Sequence, residues 1–465
     1  VDDSGAPIGA TERHYEVRHP HPGWSEQDPA DWIAALEGAV AELAAAHPSF
    51  RDLAGLGVAG HMHGATLLDA QGAVLRPCIL WNDTRSHEEA RRLDGTPGVR
   101  ETSGNIVFPG FTAPKLDWVR AHEPEVFEQV QTVLLPAAFL NHFLTGTPVT
   151  DMSDAAGTSW LDTGARAWSD ELLAAGHMRR DQRPALVEGS APAGDLRPEL
   201  CEAWGLTGPV TVAGGAGDNA AAACGIGALN EGEGFVSLGT SGVLLAARDG
   251  YRPAPETAVH TFCHAVPGRW YQMGVMLSAT DSLNWLATIA GTTPAGLTSD
   301  LGDALAAPGT VRYLPYLSGE RTPHNDAEIR GAFTGLSAAT TRDDMTRAVL
   351  EGVAYGLRDS FEALKATGAR MDSLMAIGGG TASRYWLRLI ATVLGVPLTL
   401  PAGGEFGAAL GAARLGMAAT GRDVQEIMSA PEVGEVIDPV EDLREVYDSA
   451  YRAFRAAYPA IRSVQ

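Results

Sequence analysis

Asp218 and Asn219 stand in the stretch VTVAGGAGDNAAAACG (210–225), a short apolar run followed by glycines, one carboxylate and a row of small residues. A lone acid in such surroundings has two chemical readings. Glycines ahead of a helix can cradle a phosphate on backbone N–H groups. A carboxylate brought against a substrate hydroxyl can instead take its proton as a general base. The spacing Gly215-x-Gly217-x-x-Ala220 fits a dinucleotide-binding turn. Asp218 would then sit where the pyrophosphate belongs, and two anions would share one anion site. A purely structural reading makes Asp218 the N-cap of the helix that follows.

Three other stretches offer related chemistry. SLGTSG (237–242) places Gly239 and Thr240 at a hairpin tip, where N–H groups and hydroxyls can converge on an anion. AIGGGTASRYW (376–386) ends a strand on Gly378, Gly379 and Gly380, bare backbone against which a flat ring can lie. EFGAALGAARLG (405–416) adds a helix with a small-residue face, which also permits close approach. Each of these is equally compatible with ordinary turns and packing. His61 and His63 form an H-x-H pair with both rings on one strand face, but a zinc site needs further ligands that are not nearby in sequence. Lysine occurs only at Lys115 and Lys365, and no G-x-x-x-x-G-K-[ST] is present. Any phosphate must therefore be met by backbone N–H groups and a metal ion. A lone acid, a hydroxyl-glycine hairpin and a triple-glycine turn, all at strand ends, make the layout of a phosphoryl-transfer cleft between two domains.

The elements that must carry these residues alternate. A strand over PVTVAGG runs into a small-residue helix, two strands flank 239–241, and the strand LMAIGGG (374–380) precedes a helix over 383–395. Helices are also expected from Pro29, with Asp28 as cap, over 88–93, 113–122, 171–176, 273–291, 341–367 with Thr341 as cap, and 406–420. Short strands are expected at 53–60 and 74–83, and a strand–turn–strand over the first twenty residues. The pattern is α/β, with a break near 225–230 that divides the chain into 1–228 and 229–465.

A net charge of −23 disfavours nucleic acid and anionic membranes as partners but not a nucleotide that arrives with Mg²⁺. No apolar run approaches the roughly 20 residues of a membrane span, and there is no signal-like start. Four scattered cysteines without C-x-x-C read as free thiols in a reducing cytoplasm.

The chain resembles the FGGY carbohydrate kinases, which have the two-domain actin/hexokinase-like (ribonuclease H-like) fold with an inter-domain cleft. GFTAPKLDWV (110–119) and GAFTGLSAATTRDDMTRAVLE (331–351) resemble that family's signatures, and the likeness runs through nearly the whole chain. Within the family, VAGHMHGATLLD (58–69), LRPCILWNDTR (75–85), SDAAGTSWLD (153–162), GDNAAAACG (217–225), SLGTSGV (237–243) and YLPYLSGERTPHND (313–326) are similar to the branch that phosphorylates xylulose. The resemblance implies ATP-dependent conversion of D-xylulose to D-xylulose 5-phosphate, with Mg²⁺ as the partner of ATP. It implies Asp218 as catalytic base and Asn219, Met62 and His63 as sugar contacts. Trp81 becomes an apolar wall of the sugar pocket, a core tryptophan being the competing reading. Gly239 and Thr240 would contact the ATP phosphates, and Gly378, Gly379 and Gly380 would bed the adenosine. Glycerol kinases carry an Arg-Glu pair where this chain has Met62-His63, so the chain departs from them there.

The family's first strand carries an Asp-Gly-Thr-type phosphate loop, and the sequence begins at Val1, beyond it. By that comparison about 15–20 residues precede Val1, and a chain starting there is expected to be badly impaired. Asp2 and Asp3 belong to a hairpin turn and are no substitute. Alternatives stay open: another sugar or polyol kinase, a non-catalytic sugar- or nucleotide-binding protein, or a dehydrogenase. The last needs an acid some 20 positions after the glycines, where Glu231 and Glu233 open a hairpin instead. A homodimer is also left open.

Overall fold

The computed structural model describes residues 1–465 except 300, 303 and 404–406. The start of the predicted helix over 406–420, and Glu405 and Phe406 of the small-residue stretch, lie outside the described residues. The helix is described from Gly407 to Ala419.

In the first half, short strands do the positioning. Thr211–Ala213 runs parallel to Gly55–Leu56 and antiparallel to Pro192–Asp195. A step further on, Ala216–Gly217 runs parallel to Ala59–Gly60, in the register Ala216 to Ala59 and Gly217 to Gly60. Parallel strands in register end at the same edge, so the chain delivers His61–His63 and Asp218 side by side. The helix Pro29–Ala46 starts as predicted, with the Asp28 carboxylate accepting from the Ala30 N–H at 3.0 Å.

The second half is built on a seven-stranded sheet. Gly234–Leu238 lies at its centre, antiparallel to Gly242–Arg248 and parallel to Leu374–Ile377. Ser237 pairs with Ile377, so the tip at 239–241 and the glycines after Ile377 share one edge. The helix Arg342–Ala366 covers the sheet. Thr341 caps it in a reciprocal box with Asp344, and most of its side chains from Thr346 to Leu364 are buried.

Three expectations fail. The helix predicted over 273–291 begins only at Thr280, because Trp270–Met276 is a strand paired along its length with Gly242–Arg248. Leu-like and Met residues tolerate either state, and the ladder decides. Gly274 lets the covering helix close on this strand: a Cβ there would lie 2.4 Å from Ser360 Cβ. The strand–turn–strand over the first twenty residues is reduced to its turn. The Asp2 carboxylate accepts from the Ser4 and Ala6 N–H groups, but residues 6–17 pair with no strand among the described residues. The predicted strands at 53–60 and 74–83 shrink to two-residue pieces, Gly55–Leu56, Ala59–Gly60 and Cys78–Ile79.

The two halves meet along a seam of small residues. A Cβ on Gly411 would lie 1.7 Å from the Ala221 carbonyl, and one on Gly57 would lie 1.9 Å from that of Ala412. Arg414, on the same helix as Gly411, donates to the carbonyls of Cys224 and Gly225 at 3.1 and 2.9 Å, closing the end of the Asp218–Ile226 helix. The small-residue face predicted for 405–416 is thus filled by protein backbone.

Candidate active site

Asp218 is the first residue of its helix and Gly217 occupies the cap position. The N-cap reading of Asp218 therefore fails. Its Oδ1 accepts from the Asn219 N–H at 2.8 Å and from Asn219 Nδ2 at 2.9 Å. Oδ2 accepts no hydrogen bond from the described residues and is not sealed off, so one oxygen is held and the other is open. Burial pushes the carboxyl above its usual range and the Asn219 hydrogen bonds partly oppose this. An oriented, half-exposed carboxylate of raised basicity is suited to taking a proton from a hydroxyl.

The small residues around Asp218 clear space for the protein itself. Gly214 and Gly215 abut the Glu188 and Val58 carbonyls, where a Cβ would lie 2.4 Å away in each case, and Gly215 has φ +85°. Gly217 accommodates Met62, whose Cγ would lie 2.6 Å from a Cβ. Met62 is 3 % exposed and wedged under the Asp218 turn, with the Tyr271 hydroxyl 3.5 Å from its sulfur. Its side chain is packing, and the neighbouring His63 is the one that remains open.

His63 is fixed from several sides. Its backbone is left-handed, φ 72°, which costs a non-glycine residue of order 1–3 kcal/mol. The His63 carbonyl accepts from Lys115 Nζ at 2.8 Å and from Thr112 Oγ1 at 3.1 Å, which offsets that strain. The ring stacks on Phe111 at 4.5 Å between centroids, and Nδ1 lies 2.7 Å from the Gly157 carbonyl. A carbonyl only accepts, so Nδ1 carries the proton and Nε2 is an acceptor. Burial lowers the ring to about 3, so it stays neutral. The described residues hold no group of three or more metal-ligating side chains that would complete a site around the His61–His63 pair.

Lys115 was missed by sequence reasoning, although it is one of two lysines. It is wholly buried, has no carboxylate partner among the described residues, and donates to the carbonyls of His63 and Gly110. Burial pulls it down to about 7. Asp151 and Asp154 were also missed. Ser153, between them, accepts from the Gly217 N–H at 3.1 Å and so anchors their turn beside Asp218. Both Asp154 oxygens are buried without a hydrogen-bond partner among the described residues, and burial with repulsion from Asp151 and Asp218 pushes that carboxyl well above its usual range. A sequence signal existed in SDAAGTSWLD, but spacing alone does not bring 154 to 218.

Trp81 is not a core residue: it is 49 % exposed. Its loop is held by Asp83, which accepts from the Ser25 N–H at 2.6 Å and pairs with Arg85, and the Trp81 carbonyl abuts Gly110 beside Phe111. The aromatic contacts of His63 are with Phe111 and Phe262, not with the Trp81 ring.

The second half forms a cleft of about 530 Å³ lined by Gly239, Thr240, Gly379 and Gly380, floored by Leu238, Leu283 and Trp386, with Asn284, Thr298 and Ser383 as polar groups. The Gly239 carbonyl accepts from the Thr280 N–H at 2.9 Å and the Thr240 carbonyl from the Ala279 N–H at 2.8 Å, so the tip is tied to the next helix. A Cβ on Gly379 would meet nothing within 4 Å, leaving bare backbone at the cleft wall. Gly378 is different: it turns at φ 90° against the Leu238 backbone and supports the turn from behind. The cleft has the size and mixed lining of a nucleotide site.

Residues 1–225 match the N-terminal domain, and residues 234–420 the C-terminal domain, of the FGGY family of carbohydrate kinases. The chain belongs to the FGGY family of carbohydrate kinases. It is 49 % identical to the xylulose kinase of Klebsiella pneumoniae over 89 % of this chain and 86 % of that protein. It is 47 % identical to the xylulose kinase of Escherichia coli (strain K12) over 93 % of this chain and 90 % of that protein. The crystal structure of a "xyloylose kinase" from Brucella ovis superimposes with a TM-score of 0.98 at 56 % identity, covering 100 % of this chain and 96 % of that one. The fold is thus the two-domain FGGY sugar-kinase fold expected from the sequence. As an FGGY kinase the chain takes ATP and a sugar as substrates. No helix among the described residues is long and apolar enough to cross a membrane.

Proposed function

We propose that this FGGY kinase transfers the γ-phosphoryl group of ATP to the 5-hydroxyl of D-xylulose, releasing ADP and D-xylulose 5-phosphate. The observation that carries the reading is Asp218, with Oδ1 held by Asn219 and Oδ2 open, at the strand edge that its segment shares with His61–His63. The high identity to proteins named xylulose kinase supports the choice of sugar.

In this reading Oδ2 takes the proton from the attacking hydroxyl as the new oxygen–phosphorus bond forms and the bond to ADP breaks. Asn219 orients Asp218, while His63 and the half-exposed Trp81 bound the sugar. The tip at Gly239 and Thr240 receives the phosphates, and Gly379 and Gly380, backed by Gly378, receive the adenosine. Mg²⁺ arrives on ATP and offsets its charge. Residues 1–228 supply the sugar side and residues 229–465 the nucleotide side, and closing them excludes the water that would compete for the phosphoryl group. The four free thiols support a reducing cytoplasm as its compartment.

The test is ADP release from ATP·Mg²⁺ with and without D-xylulose, alongside a panel of ketoses, polyols and sugar acids. D-xylulose should give the highest kcat/KM. Asp218→Asn should keep sugar binding and lose turnover by about 100-fold or more, the range of a removed general base. Full activity in Asp218→Asn would reduce Asp218 to a structural residue.

A further inference from the structure

Arg321 lies in the segment SGERTPHND, in the half matched by the C-terminal family domain. Its guanidinium sits 4.4 Å from the ring of Phe108, which belongs to the other half. Among the described residues its side chain has no hydrogen bond and no carboxylate partner. That is unlike Arg85 and Arg248, which also face inward. Arg85 pairs with Asp83 and Glu26, and Arg248 with Glu231 and Thr367. A guanidinium carries five N–H donors and no acceptor, so an uncommitted one in a half-buried site is a set of donors awaiting acceptors.

The neighbouring Glu320 attracts it but is not hydrogen-bonded to its guanidinium among the described residues. That carboxyl accepts from the Leu277 and Arg321 backbone N–H groups, and burial pushes it up to about 8. The loop is also anchored. The Thr322 hydroxyl donates to the Ala258 carbonyl at 2.9 Å, and the Thr322 N–H donates to the Val275 carbonyl at 3.0 Å. Arg321 is thus held on a rigid support with its fork unengaged.

Its place follows from the ring contacts. Phe108 lies 5.2 Å from His260, His260 lies 6.0 Å from Phe111, and Phe111 stacks on His63. Met62, next to His63 in the chain, packs against Gly217, the residue before Asp218. Arg321 therefore stands near His63, close enough for its charge to disfavour protonation of that ring. A ketose whose 5-hydroxyl meets Asp218 presents its unreacted end to the rest of the pocket, and that end carries a carbonyl that only accepts.

We propose that Arg321 is a sugar-binding residue, lent by the C-terminal half, whose guanidinium donates to the oxygens at the unreacted end of the ketose. This rests on the sugar-kinase reading above. It makes occupancy of the sugar pocket depend on both halves at once.

Arg321→Met and Arg321→Lys test it, with D-xylulose binding measured by calorimetry without nucleotide and steady-state kinetics measured beside it. Both variants should weaken D-xylulose binding and raise its KM by about 10-fold or more, the worth of a hydrogen bond from a charged donor, with the KM for ATP unchanged. A purely structural grip on Phe108 would instead lower the melting temperature and leave sugar affinity as it was. D-xylulose affinity at the wild-type level in Arg321→Lys overturns the proposal, and that variant decides the matter if Arg321→Met does not fold. A wild-type protein that neither binds nor phosphorylates D-xylulose refutes the choice of sugar, a different failure. The same two variants are then measured with the sugar the panel selects, and the same two results decide.

Discussion

A base works only while it is ionised, so the Asp218 environment predicts a pH profile. Burial raises its carboxyl above the usual 3.8, and the acid limb of kcat/KM should therefore lie above that value. His63, lowered to about 3, stays neutral across the assay range and adds no limb of its own. A profile of kcat/KM between pH 4 and 8 checks both points. Lys115 gives a second prediction. Lys115→Met removes the donor that holds the left-handed His63, and the KM for sugar should rise by about 10-fold. Stability carries an independent sign. The unfolded chain holds the Lys115 proton up to about 10.5 and the folded chain only to about 7. Between these values the unfolded state binds the extra proton, so stability rises with pH. The urea-unfolding free energy of the wild type, taken relative to Lys115→Met, should thus increase from pH 7 to pH 10. The sequence announces Asp218 and His63 through unusual neighbours. It is silent on Lys115 because nothing in GFTAPKLDWV shows which carbonyls the amine will reach. Asp154 is silent for the same reason.

At the scale of elements, what was legible is what depends on neighbours in sequence. The caps at Asp28 and Thr341 and the helix after the triple glycine read directly. Trp270–Met276 did not, because its partner lies some thirty residues upstream and only the ladder makes it a strand. The small residues after Asp218 were legible as a need for close approach but not as to what approaches. The answer is the helix Gly407–Ala419. Gly411→Val should therefore destabilise the protein by about 3 kcal/mol, since the Ala221 carbonyl occupies the space. A fall in melting temperature checks this, with no chemistry of either site touched.

Over the whole molecule, the helix Gly407–Ala419 belongs by sequence to the second half but fills the surface of Gly55, Gly57, Ala221 and Gly225 in the first. Residues 1–228 alone lose that cover. Expressed as a fragment they should give a broad urea transition or aggregate, and coexpression with 229–465 should restore a sharp one. A fragment that melts as sharply as the intact chain would show that the seam is dispensable. The division into two α/β halves was visible in the sequence, whereas this exchange of a helix across the seam was not. The burial of Lys115 has a practical corollary for the folded molecule. Lys365 is exposed, so it is the one lysine side chain an acylating reagent meets while the protein is intact. Modification at Lys115 then appears only as the chain opens, and the mass ratio of the two labelled peptides becomes a clock for unfolding.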